Sequence, residues 1–134
     1  MKKLFAKKEI FKVKSMPVDP TSMGEPATAD ELQRRGMAYY ARKQYAQAEA
    51  DLKKAISLDS THIDSYYSLG MVYKAVDRKE EAVVAFNHVI ELIVTNPGAD
   101  STKNDMLRKL ALGHMNEINQ GDWNLEKEIW KHIE

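Results

Sequence analysis

Between residues 28 and 95 the apolar positions fall into four short runs, each with the spacing of one helix face. Leu32, Gly36 and Tyr39 recur at i, i+4 and i+7. After a brief polar break, Tyr45, Ala48, Leu52 and Ala55 continue the pattern. A second pair of runs follows, one from about Ile63 and the other carrying Ala82, Phe86, Val89, Ile90 and Ile93. Polar residues mark the boundaries. Thr28-Ala-Asp-Glu31 has the form of a capping box, in which the Thr28 hydroxyl takes a first-turn amide and Glu31 reaches back; Pro26 disfavours an earlier start. Asp59-Ser60-Thr61 offers cap candidates for the third helix. Glu80-Glu81 opens the fourth, where carboxylates complement the helix dipole.

The second pair of runs copies the first. Gly36 and Gly70, Met37 and Met71, Tyr39 and Tyr73, Ala41 and Ala75, Ala48 and Ala82, Ile56 and Ile90, and Leu58 and Leu92 are each 34 residues apart. Leu52 maps onto Phe86, and Ala55 onto Val89, by the same step. Antiparallel helices joined by a short turn approach closely only where side chains are nearly absent, which predicts that Gly36 faces Ala48 and Gly70 faces Ala82. A mid-helix Gly costs about 1 kcal/mol against Ala, so its recurrence in register points to packing that requires it.

A third copy is looser. Residues 103–119 read as a helix with Leu107, Leu110, Ala111 and Ile118 on one face and Gly113 as the counterpart of Gly36. Gln120-Gly-Asp-Trp123 reads as a turn, and Ile129, Trp130 and Ile133 as the apolar positions of a last helix. Gly113 follows Gly70 by 43 residues, and the nine extra ones fall within 95–104, where Asn96-Pro97-Gly98 dictates a turn.

These motifs resemble the tetratricopeptide repeat, a helix-turn-helix unit. Gly36 and Gly70 match its small first-helix residue, and Tyr39 and Tyr73 the tyrosine that follows. Ala48 and Ala82 match its small second-helix residue, Leu52 and Phe86 its bulky one, and Ala55 and Val89 its later small one. Leu32 and Tyr66 stand where the family places an aromatic, and Ser60 and Val94 where it closes with Pro. The resemblance implies an all-α fold of about three stacked antiparallel hairpins, an α-solenoid, over residues 29–61, 62–95 and 103–134. A basic arm and Pro-containing linker, residues 1–27, would precede it.

Composition narrows the function. A chain of 134 residues with 43% hydrophobic content suits one domain, and the absence of cysteine excludes disulfides, thiolate metal sites and cysteine nucleophiles. No apolar run approaches a signal-peptide core or a membrane span, so a cytoplasmic protein is expected. The histidines at 62, 88, 114 and 132 include no pair at i+3 or i+4, and the six glycines form no phosphate loop. No metal, no cofactor and no enzymatic activity are therefore expected. Acids and bases balance at 20 each, yet residues 1–14 hold six Lys and one Glu, which leaves −5 on the rest and argues against nucleic acid.

Stacked hairpins offer surface instead. By the resemblance, the first helices line a concave groove made of Gln33, Met37, Tyr40 and Ala41, then Tyr67, Met71 and Lys74, then Leu110, His114 and Glu117. Met and Tyr there suit a peptide or helical segment of a partner, unless Met37 and Met71 serve only to pack one hairpin on the next. Some members grip a peptide carboxylate with Lys, Asn and Arg, but the matching positions here are Gln33, Met37, Ser68, Leu107 and Ala111. That mode is not expected. Two alternatives concern the ends: a self-assembling structural subunit, a homodimer or larger homo-oligomer through the C-terminal hairpin or the arm, and a peripheral membrane adaptor whose lysine-rich arm associates weakly with an anionic surface.

Overall fold

The computed structural model describes residues 19–121 apart from 97 and 99, and within them the chain is all-α. Five α-helices run α1 (Ala29–Ala41), α2 (Tyr45–Leu58), α3 (Ile63–Ala75), α4 (Lys79–Thr95) and α5 (Ser101–Gln120). α1 with α2 and α3 with α4 form two hairpins at the expected places; α2 packs on α3, and α4 on α5. The first helices also touch, α1 with α3 and α3 with α5, whereas α2 and α4 do not meet. The stack is therefore tighter on the first-helix side, which becomes its inner face. The expectations placed on residues 1–14, on Trp123 and on Ile129, Trp130 and Ile133 lie outside the described residues.

Three boundary details differ from the sequence reading. Thr28 caps α1 by accepting from the Glu31 amide at 3.2 Å, but Glu31 accepts the Thr28 hydroxyl at 3.1 Å instead of reaching the Thr28 amide. Asp59 does not cap α3; its carboxylate accepts from the Thr61 amide (3.0 Å) and hydroxyl (2.8 Å), a local turn that a short acidic side chain closes more readily than a distant helix end. The Pro-containing stretch holds a 3-10 turn, Pro20–Met23, packed on α1 with Pro20 fully buried.

The hairpin turns repeat in register. Lys43 (φ 60°) and Asp77 (φ 63°) adopt the left-handed conformation without being glycine, and the next amides, Gln44 and Arg78, bond the carbonyls of Tyr39 (2.9 Å) and Tyr73 (2.8 Å). The ties between units repeat too. Asp30 of α1 meets His62 at 2.6 Å and Asp64 of α3 meets Lys103 at 2.7 Å, so each first helix is pinned to the start of the next.

At the crossing points Gly36 does approach Ala48, and the nearest side chain to each glycine is a larger one. A Cβ on Gly36 would meet Leu52 Cγ at 3.0 Å, with the Ala48 carbonyl oxygen at 3.4 Å. A Cβ on Gly70 would meet the Phe86 ring at 2.6–2.9 Å. The bulky residue one turn beyond the alanine fills the notch that each glycine leaves, and the alanines, both fully buried, let the backbones close around it. One matched pair changes chemistry between copies. Arg35 and Asp51 form a two-pronged ion pair, both bonds 2.8 Å, where the second hairpin has buried Leu69 and Ala85.

Leu52 and Phe86 are both fully buried, but an added Cβ would lie 2.6–2.9 Å from the rigid Phe86 ring at Gly70 and no nearer than 3.0 Å to any atom at Gly36. Gly70→Ala should therefore destabilise the protein by about 1–3 kcal/mol despite the better helix propensity of Ala, and Gly36→Ala by distinctly less. Urea denaturation of both variants, with Gly70→Ala/Phe86→Leu as the relieving double change, measures this; equal losses at the two positions would refute it.

Candidate functional site

The inner face is built by helical spacing. Gln33, Met37, Tyr40 and Ala41 lie along one side of α1, Tyr67, Met71 and Lys74 along α3, and Leu110, His114 and Glu117 along α5. Met37, Tyr40, Tyr67, Met71 and Leu110 are half-buried, Ala41 and Glu117 are exposed, and His114 is buried. Of the residues assigned to packing, Gly36, Ala48, Leu52, Gly70, Tyr73, Ala82 and Phe86 are buried and Tyr39 is half-buried against the core.

Polar members of this face are engaged with one another. Gln33 donates to the Ser68 hydroxyl at 2.9 Å, joining α1 to α3. On the α5 side, His114 stacks on Phe86 (centroids 5.0 Å apart, planes 9° from parallel) and meets Tyr67 Oη with Nε2 at 3.1 Å and Lys74 Nζ with Nδ1 at 3.0 Å. Lys74 also pairs with Glu117 at 3.0 Å. Burial, with Lys74 beside it and Glu117 acting the other way, pushes the imidazole pKa down to about 4. An ammonium has only donors, so Nδ1 accepts, Nε2 carries the proton, and Tyr67 Oη is the acceptor in its bond to the ring. Burial raises the phenol pKa of Tyr67, with Tyr40 adding to it, and that of Tyr40, with Tyr45 adding to it. Both stay protonated near neutrality.

His114 thus belongs to the wall of the site, and Lys74 is part of a linked pair. Ser68, which the resemblance placed only at a position matching the family's carboxylate clamp, anchors Gln33 through its small hydroxyl. Sequence spacing missed a cleft of about 550 Å³ on the opposite, outer face, lined by Ile56, Tyr66, Leu69, Val84 and Ala85 among others. The sequence signal for it was the exchange of Arg35 and Asp51 for Leu69 and Ala85. Among the described residues no group of three His, Asp or Glu is placed to hold a metal ion, and no helix is long and apolar enough to cross a membrane.

Two family models match the chain. Residues 36–77 fit one described as TPR repeat and residues 63–93 one described as tetratricopeptide repeat, so the matches overlap across α3 and together span both complete hairpins except the start of α1 and the end of α4. No curated protein matches the sequence.

The buried imidazole makes stability depend on pH. The unfolded histidine, with a pKa near 6.5, binds a proton that the folded one refuses until about pH 4, so stability is full above about pH 6.5 and declines as the pH falls between those values, by at most about 3 kcal/mol. His114→Gln should flatten this part of the profile. Denaturation at pH 7.5, 6 and 4.5 checks it, and parallel profiles for the two proteins would count against a neutral buried ring.

Proposed function

Because the chain belongs to the tetratricopeptide-repeat family, we propose that it is a non-catalytic interaction module that takes a peptide or helical segment of a partner protein against its inner face. Tetratricopeptide repeats are units of protein–protein interaction, and the carrying observation here is what the inner face leaves available. Its polar groups are tied up in Gln33–Ser68 and in the Tyr67–His114–Lys74–Glu117 cluster, while Met37, Tyr40, Tyr67 and Met71 form a half-exposed row across α1 and α3.

Such a row favours apolar anchors. Methionine adapts to irregular shapes, and tyrosine presents a large apolar ring with a polar tip at little entropic cost. A partner helix with side chains at i, i+3 or i+4 and i+7, or an extended segment with alternate apolar residues, has the matching pattern. The cationic clamp that would favour a free carboxylate is missing: Lys74 is the central cation, and Glu117 lies 3.0 Å from it.

The test is quantitative capture from a lysate of the source organism, comparing the intact protein with a Met37→Glu/Met71→Glu variant whose helix content and melting are unchanged. Two carboxylates on an apolar contact should weaken a true partner by about 10-fold or more. Equal capture by both proteins would remove the inner face from consideration.

A further inference from the structure

The cleft on the outer face has a defined construction. Because α2 and α4 do not pack on each other, α3 shows between them, and its buried Leu69 and Tyr73 form the floor. Ile56 of α2 stands on one side, and Ala85 with the largely exposed Val84 of α4 on the other. Arg78 bonds carboxylates of both α2 and α4 beside the cleft. Its guanidinium lies 4.5 Å from the Tyr73 ring centroid, with bonds of 2.8 Å to Glu49 of α2 and 2.7 Å to Glu81 of α4. The surroundings are acidic: Glu49, Glu80, Glu81 and, beyond His88, Glu91 stand against Lys53 and Arg78.

We propose that this cleft is the docking site of residues 1–14 of the same chain. MKKLFAKKEIFKVK carries six of the lysines and a net +5, against −5 for the rest of the protein, and sets two apolar pairs, Leu4-Phe5 and Ile10-Phe11, among those lysines. An apolar floor inside an acidic rim complements such a segment in both respects: the aromatic rings leave water against Leu69, Tyr73 and Val84, and the lysines lie beside carboxylates. Reach is not limiting. Eighteen residues precede Asp19 and span up to roughly 60 Å when extended, and the described chain begins with the 3-10 turn on α1, in the hairpin that supplies the α2 wall.

The inner face is the poorer host for this segment. Lys74 stands at its centre with Glu117 as its one carboxylate partner, whereas around the outer cleft Glu49, Glu80, Glu81 and Glu91 outnumber Lys53 and Arg78 even with Glu49 and Glu81 bonded to Arg78. Docking on the outer face also leaves Met37, Tyr40, Tyr67 and Met71 open, so the inference stands or falls independently of the proposed function.

The absence of native cysteine permits a clean experiment on the full chain. A nitroxide on Ala6→Cys in nitrogen-15-labelled protein should broaden the amide signals of Ile56, Val84 and His88 more strongly than those of Met37 and His114. The effect should persist on dilution. It should weaken as ionic strength rises from about 0.1 M to about 1 M, where the Debye length shrinks from about 10 to about 3 Å. Val84→Glu, at an exposed wall position, should abolish it, and Glu80→Lys should reduce it. Broadening that is missing from the cleft or centred on the inner face would overturn the proposal. So would broadening that appears only when label and isotope sit on different molecules, since that places the contact between copies.

Discussion

The approach of Phe86 to Gly70 is the contact on which the rest depends. Only a residue without a side chain lets α3 come this near the ring, since any Cβ there would lie 2.6–2.9 Å from three of its carbons. That same ring continues outward: it stacks on His114 at 5.0 Å and meets Tyr67 at 5.8 Å. The contact that closes the middle hairpin therefore also sets the depth of α5 and the position of the tyrosine on the inner face. Packing inside the repeat and geometry at its surface share one side chain.

From this follows a division between the two faces. On the inner side the helices touch, and the polar residues find partners across them, as Gln33 does with Ser68 and Lys74 with Glu117. On the outer side α2 and α4 stand apart, and the bridging is left to Arg78, which reaches carboxylates on both. A buried neutral histidine walls one face, and an apolar floor lies at the bottom of a cleft in the other. Their chemistry differs because curvature crowds the first helices and spreads the second.

Most of the architecture was legible in the residues. The 34-residue step located both hairpins, and even the left-handed residues Lys43 and Asp77 and the acids Asp30 and Asp64 obey it. What was not legible has physical reasons. Periodicity gives the direction of a side chain and not the depth at which it stops, so His114 was assigned to the groove lining although the ring of Phe86 holds it in the wall. It could not show that Leu52 and Phe86 fill the notches the glycines leave, because that depends on the crossing distance. Asp59 was drawn into a local turn by Thr61, a competition between two nearby uses that spacing alone does not decide. The replacement of Arg35 and Asp51 by Leu69 and Ala85 was visible at the same offset. It distinguishes the first hairpin, which has no hairpin before it among the described residues, from one that lies against a neighbour.

α3 has a position that no other helix shares. It touches α1, α2, α4 and α5, whereas neither α1 nor α2 reaches α5. In a stack held by nearest neighbours, opening at one end is not felt at the other unless the middle gives way. The first hairpin and α5 can therefore fray as separate units, each with its own opening free energy, while amide exchange in α3 waits for the whole molecule to unfold. A ligand bridging α1, α3 and α5 would couple those two units, slowing exchange at both ends of the stack although it contacts only one side of each helix.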